Sequence, residues 1–185
     1  MMERDVLRDR RIDLAQTIPI RMARATFNCA ELKNRVSHNP NLIKQAEMAA
    51  LCIVHKQVDN VVLMGKSGSG KTSLACAILW ELCRYPVGKT GRFQSSVELA
   101  CSHSAFGAEP DEVFQSKLAS VLVLDDLGSE SQAKLTSVHQ VIQYRHHTMA
   151  PTIFTTWLDE SELEARFGNG IARRILERSR RIITS

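Results

Sequence analysis

Residues 65–72 read Gly65-Lys66-Ser67-Gly68-Ser69-Gly70-Lys71-Thr72, and this G-x-x-x-x-G-K-T octet restricts what can lie on either side of it. A phosphate-binding loop of this form needs a buried strand before it and a helix after it. Both are foreshadowed. Asn60-Val61-Val62-Leu63-Met64 is a short apolar run suited to a buried strand, and Ser73 to Arg84 carries Leu74, Ala75, Ala77, Ile78, Leu79 and Leu82 at helical spacing. Glycines let backbone N–H groups approach phosphate oxygens closely, and the helix that follows adds the positive end of its dipole. The spacing therefore assigns Gly65, Ser67, Gly68, Ser69, Gly70, Lys71, Thr72 and Ser73 to nucleotide binding. Lys71 is expected to reach the β- and γ-phosphates, and Thr72 to place its hydroxyl on Mg²⁺.

A second run, Leu122-Val123-Leu124-Asp125-Asp126, ends in two acids. A buried strand delivers such terminal carboxylates to the sheet rim where the loop also sits. Asp125 is expected to support Mg²⁺ and Asp126 to orient or deprotonate the attacking water. An alternative for Asp126 is a cap on the turn at Leu127-Gly128. Thr152-Ile153-Phe154-Thr155-Thr156 reads as the next buried strand. In P-loop ATPases with an extra strand between the loop and the acidic strand, its end carries a polar group near the γ-phosphate. Thr155 and Thr156 are the candidates here, and Thr156 joins Lys71 and Asp126 in the expected catalytic set.

The other elements follow from periodicity and breakers. Residues 1–16 are highly charged, with a weak apolar stripe at Val6, Leu7, Ile12 and Leu14, and form an arm broken by Ile18-Pro19-Ile20. The domain reading is a charged arm at 1–17 and an ATPase domain at 18–185. A helix is expected to start at Asn39-Pro40-Asn41 and run to His55, and a turn at Tyr85-Pro86-Val87-Gly88. Gly91 to Ser95 reads as a strand, and residues 97–118 as a helical stretch interrupted by Gly107 and Pro110. A helix spans Lys134 to Met149, and short helices span Asp159 to Phe167 and Ile171 to Arg178 about the turn Gly168-Asn169-Gly170. Arg181 to Thr184 is a candidate edge strand. Strands alternating with helices predict an α/β fold with a parallel sheet covered on both faces.

Length and composition narrow the class. The 185 residues suit one domain, and 44% hydrophobic residues can fill its core. Five cysteines with no C-x-x-C pair indicate reduced thiols and a cytoplasmic setting. No apolar run approaches the ~18 residues of a membrane span. A net charge of +4 is compatible with nucleic acid without requiring it. Residues 100–116 hold no Lys or Arg, so phosphate contact there rests on Ser102, His103 and Ser104, with Lys89, Arg92 and the C-terminal arginines as alternatives. His139, His146 and His147 lack the Cys or carboxylate spacing that completes a metal site.

Taken in order, these segments resemble the DnaC/IstB-like AAA+ ATPases. The resemblance is carried by IPIRMARATF at 18–27, the phosphate loop, FQSSVEL at 93–99, VLVLDDLGSE at 121–130, VIQYRHHTMAPTIFTTW at 141–157 and FGNGIARRILER at 167–178. It implies a P-loop AAA+ core with a five-stranded parallel sheet in the order 5-1-4-3-2 and little or no C-terminal lid. It implies ATP and Mg²⁺ at subunit interfaces of a homo-oligomer (a ring, spiral or filament) on DNA, with a replicative helicase or a transposase as partner. It also implies an arginine finger on the GNGIARR-like helix, matched here by Arg174 among Arg173, Arg174, Arg178, Arg180 and Arg181. The chain departs from the family pattern in places. Trp157 stands where the family has Asn, Gly170 where arginine is frequent, only about 17 residues precede the core, and no further arginine follows the last strand before Ser185. The resemblance makes a helicase loader the leading expectation and an IstB-like transposition helper the nearest alternative. A P-loop kinase lacks its lid insertion here, and a non-hydrolysing ATP-binding scaffold remains open through Trp157.

Overall fold

The computed structural model describes residues 14, 17–85, 90–102 and 108–184. Most of the expected arm lies outside the described residues, as do Pro86, Val87, Gly88, Lys89, His103, Ser104 and Gly107.

Five strands form one sheet: β1 (Asn60–Met64), β2 (Gly91–Ser95), β3 (Val121–Leu127), β4 (Thr152–Thr156) and β5 (Ser179–Ile183). Every pairing is parallel and the order is β2-β3-β4-β1-β5, which is the expected 5-1-4-3-2 read from the other edge. Parallel strands need crossovers, and the helices supply them: α1 (Ala30–Arg35), α2 (Asn41–Val54), α3 (Lys71–Leu82), α4 (Ser96–Cys101), α5 (Asp111–Leu118), α6 (Thr136–His147), α7 (Glu160–Phe167) and α8 (Asn169–Leu176). No described helix is long and apolar enough to cross a membrane.

Strand alternation divides the core between the two faces of the sheet. Val61, Leu63, Val123, Ile153 and Ile182 pack against α2, α3 and the N-terminal residues Ile18, Met22, Phe27 and Leu32. Val62, Met64, Leu122, Leu124 and Phe154 pack on the other face against α4 to α8. Because successive side chains of a strand point to opposite faces, neighbours along β4 serve different layers.

Local chemistry explains the boundaries. Asp159 caps α7 in a reciprocal box with Glu162, with Asp159 Oδ1 accepting from Glu162 N at 2.8 Å and Glu162 Oε2 accepting from Asp159 N at 2.8 Å. Pro40 precedes α2 directly, and His55 ends it. The expected 97–118 stretch is two helices, with Pro110 at the start of α5. The last expected helix begins two residues earlier, at Asn169, and the edge strand two residues earlier, at Ser179. Helix α1, unforeseen in the sequence, uses Cys29 as its cap, with Sγ accepting from Leu32 N at 3.3 Å.

Candidate functional site

At the carboxyl end of β1 the chain turns through Gly65–Gly70 into α3, and this turn forms one wall of a cleft of about 500 Å³. Gly68 and Gly70 take φ of +82° and +91°, a backbone region that side chains rarely tolerate. A Cβ on Gly70 would also stand 2.8 Å from Val36 Cγ1, so α1 closes directly on the loop. The first N–H groups of α3 have no intrahelical partner, and here they face an anion-sized cleft.

Lys71 is largely buried at 8% exposure, and its Nζ donates to the carbonyls of Gly65 at 2.7 Å and Lys66 at 2.8 Å. Burial holds its ammonium below the usual lysine range, against the opposing pull of Asp126 and Asp125. Thr72 Oγ1 donates to Asp125 Oδ1 at 2.9 Å. The same carboxylate oxygen accepts from Thr155 Oγ1 at 2.6 Å, and Thr155 Oγ1 accepts from Asp126 N at 2.8 Å. Two hydroxyls and a half-buried carboxylate beside the end of the loop are a hard-oxygen donor set that fits Mg²⁺. Burial raises the Asp125 carboxyl above its ordinary range, outweighing the two hydroxyl bonds and Lys71 that pull it down.

Asp126 is exposed, lines the cleft and takes a positive φ of 59°. Its placement is fixed by what surrounds it. Ser96 Oγ donates to Asp126 O at 2.9 Å and lies 3.2 Å from Glu130 Oε2, and Glu130 Oε2 accepts from Gly128 N at 2.8 Å. Buried Glu130 thus holds the turn that aims Asp126, a role invisible in the sequence. The Asp126 side chain does not cap the turn among the described residues: Gly128 N donates to Glu130 and Ser129 N to the Asp126 backbone carbonyl.

The structure corrects the expectation for Thr156. Thr155 pairs in register with Leu63 and so shares the face of α3, where Thr72 lies. Thr156 pairs with Met64 on the opposite face, fully buried, and its hydroxyl donates to Leu127 O at 2.7 Å and accepts from Leu158 N at 3.1 Å. Thr155, not Thr156, reaches the cleft.

Two loop serines have structural partners. Ser69 Oγ lies 2.5 Å from Thr184 Oγ1, which ties the loop to the end of β5, and Ser73 Oγ points to Met22 Sδ at 3.3 Å, leaving its backbone N–H for the cleft. Arg174 does not line this cleft. Its Nη1 donates to Gly170 O at 2.6 Å, and its own carbonyl accepts from Asn60 Nδ2 at 2.9 Å, at the end of β1 away from the loop. Arg173, Arg178 and Arg181 each face a carboxylate of the same chain, respectively Glu177, Asp59 and Glu160. Arg180 points to Cys52 Sγ at 3.9 Å. His146 Nε2 lies 3.2 Å from Glu177 Oε2.

Sequence reasoning missed four residues of the cleft lining: Arg21, Met22, Arg35 and Ser129. Trp157, noted only as a departure, lines it too.

A family model described as IstB-like ATP binding protein matches residues 2–181. Among solved structures the chain is similar to that of DnaI, at 25% identity and a TM-score of 0.68, covering 89% of this chain and 93% of that one. It is similar also to the DnaC helicase loader, at 22% identity and a TM-score of 0.68, covering 88% of this chain and 98% of that one. No curated protein matches it.

Proposed function

The chain belongs to the IstB-like ATP-binding protein family of P-loop AAA+ proteins, and from that premise we propose that it hydrolyses ATP at the interface between two copies of itself. The observation that carries this reading is a cleft complete in every part but one. Lys71, Thr72, Asp125, Asp126 and Thr155 converge there, while Arg174 sits at the far end of β1 with no carboxylate partner among the described residues. An arginine supplied by a neighbour would complete the charge stabilisation of the transition state.

In this reading the loop's N–H groups cradle the phosphates, and Lys71 exchanges the carbonyls of Gly65 and Lys66 for phosphate oxygens. Thr72 and Asp125 would hold Mg²⁺, which when bound would supply positive charge against the triphosphate. Asp126 accepts the proton of the attacking water, or orients it, from a turn fixed by Ser96 and Glu130. Thr155 holds Asp125 and the Asp126 backbone in step. Hydrolysis then depends on assembly, and the nucleotide state controls an oligomer on DNA.

The biological role we favour is loading of a replicative helicase, supported by the fold shared with the DnaC helicase loader. Membership of the IstB-like family, with the resemblance of its motifs, supports a second reading, a helper ATPase of transposition. ATPase rate against protein concentration, with and without single- and double-stranded DNA, tests the shared site. A rate per subunit that rises with concentration is expected, with Arg174→Ala retaining ATP binding and losing hydrolysis by ~10³-fold. Hydrolysis by a dilute monomer at full rate would contradict it. Pull-down of a replicative helicase or of a transposase then separates the two roles.

A further inference from the structure

We propose that Arg21 and Arg35 form a second cationic wall of the nucleotide cleft and grip the polyphosphate of a nucleoside di- or triphosphate bound to their own subunit. The inference rests on the nucleotide-binding reading of the cleft and adds two residues outside the P-loop motif.

Both arginines line the cleft beside Gly68, Gly70 and Lys71. Both stand on backbone that is anchored next to the loop. Arg21 lies in the 3-10 turn Ile20–Met22, whose Met22 is buried and receives the Ser73 hydroxyl at 3.3 Å. Arg35 is the last residue of α1, and a Cβ on Gly70 would stand 3.9 Å from its carbonyl oxygen and 2.8 Å from Val36 Cγ1. The side chains themselves are exposed, and neither makes a hydrogen bond or ion pair with a described residue. Arg84, Arg173, Arg178 and Arg181, exposed elsewhere on the surface, each face a carboxylate, while Arg24, exposed outside the cleft, faces none among the described residues; what sets Arg21 and Arg35 apart is their place in the cleft lining. Two guanidinium groups fixed at the backbone, free at the head and set beside an anion cradle are arranged for a ligand.

Charge points the same way. Without these arginines Lys71 alone faces Asp125 and Asp126, and the cleft carries an excess of negative charge before any phosphate arrives. With them the balance turns positive. Guanidinium matches phosphate through paired N–H donors, and such charge-assisted bonds are about twice as strong as neutral ones. A bound nucleotide would therefore clamp the N-terminal segment 20–36 against the loop, carrying nucleotide occupancy into the part of the chain that precedes the core.

Titration with fluorescently labelled ATP and ADP tests this on wild type, Arg21→Ala, Arg35→Ala, the two Arg→Lys variants and Lys71→Ala. Each alanine variant is expected to lose affinity for both nucleotides by about tenfold or more, and each lysine variant to recover part of it. A second measurement is tryptic cleavage after Arg21 and Arg35, which saturating ATP should slow in wild type and not in Lys71→Ala. Alanine variants within twofold of wild type, with cleavage indifferent to ATP, would overturn the proposal while leaving the P-loop reading intact, provided Lys71→Ala fails to bind. A wild type without affinity for either nucleotide would overturn both.

Discussion

Asp125 accepts two hydroxyl hydrogen bonds and yet burial keeps its carboxyl above the ordinary range. A raised carboxyl contributes stability below its unfolded value, and that contribution is lost as pH rises through the folded value. At neutral pH the ionised group therefore costs the ligand-free fold. Lys71 works in the same sense: its lowered folded value favours the fold at high pH, and that support is lost as pH falls through it, so the charged ammonium is also a cost at neutrality. In the proposed function both charges would find their partners in a Mg²⁺-nucleotide. Asp125→Asn keeps an oxygen for Thr72 and Thr155 while removing the buried charge. It should raise the ligand-free Tm by ~2–4 °C, about 1 kcal/mol for a chain of this size, and abolish Mg²⁺-dependent tightening of ATP binding. Thermal melts with and without Mg²⁺-ATP check both halves, and a ligand-free Tm that falls would contradict the burial argument. In wild type, Mg²⁺-dependent affinity should decline with falling pH from above the ordinary carboxylate range.

Among the elements, what could be read in advance was whatever a short local pattern determines. The loop with its strand and helix, the acidic end of β3 and the threonine end of β4 were all legible. The choice between Thr155 and Thr156 was not, because it depends on which face of the sheet α3 covers, a fact of tertiary packing. Helix α1 was missed because six residues carry little periodicity, and it was Val36 docking against Gly70 that set its place. Arg145 was visible only as a letter in a helix. In the structure it is a fully enclosed guanidinium that donates to the carbonyls of Ser116, Ala119 and Pro151 at 2.9, 2.7 and 2.7 Å and to Thr152 Oγ1 at 2.9 Å. Burial lowers it to about 9, still charged at neutral pH, with carbonyl oxygens in place of a counterion. It ties α6 to the end of α5 and to the starts of β3 and β4. Arg145→Met fills similar space but orphans those carbonyls, and urea denaturation should show a loss of about 3 kcal/mol, with Arg145→Lys recovering little. A loss below about 1 kcal/mol would show that water satisfies the carbonyls instead.

For the whole molecule, sheet order and family were carried by the sequence of motifs along the chain, and the sheet order in the structure agrees with that reading. The N-terminal wall of the cleft was not legible, because Arg21 and Arg35 approach the loop only through the packing of Met22, Leu32 and Val36 beneath them. Between copies, two kinds of residue are distinguished by position. In the proposed function, Lys71 and Asp125 would serve their own nucleotide, whereas Arg174, held at the other end of β1, would serve a neighbour's. Mixing two inactive variants, Lys71→Ala and Arg174→Ala, tests this division most directly. In a mixed assembly the Lys71→Ala subunit still offers its arginine to the intact loop of the Arg174→Ala subunit. ATPase activity should return on mixing, to about a quarter of the wild-type rate if subunits assort at random and one neighbour suffices. No recovery from a mixture shown to co-assemble would contradict a site shared between subunits.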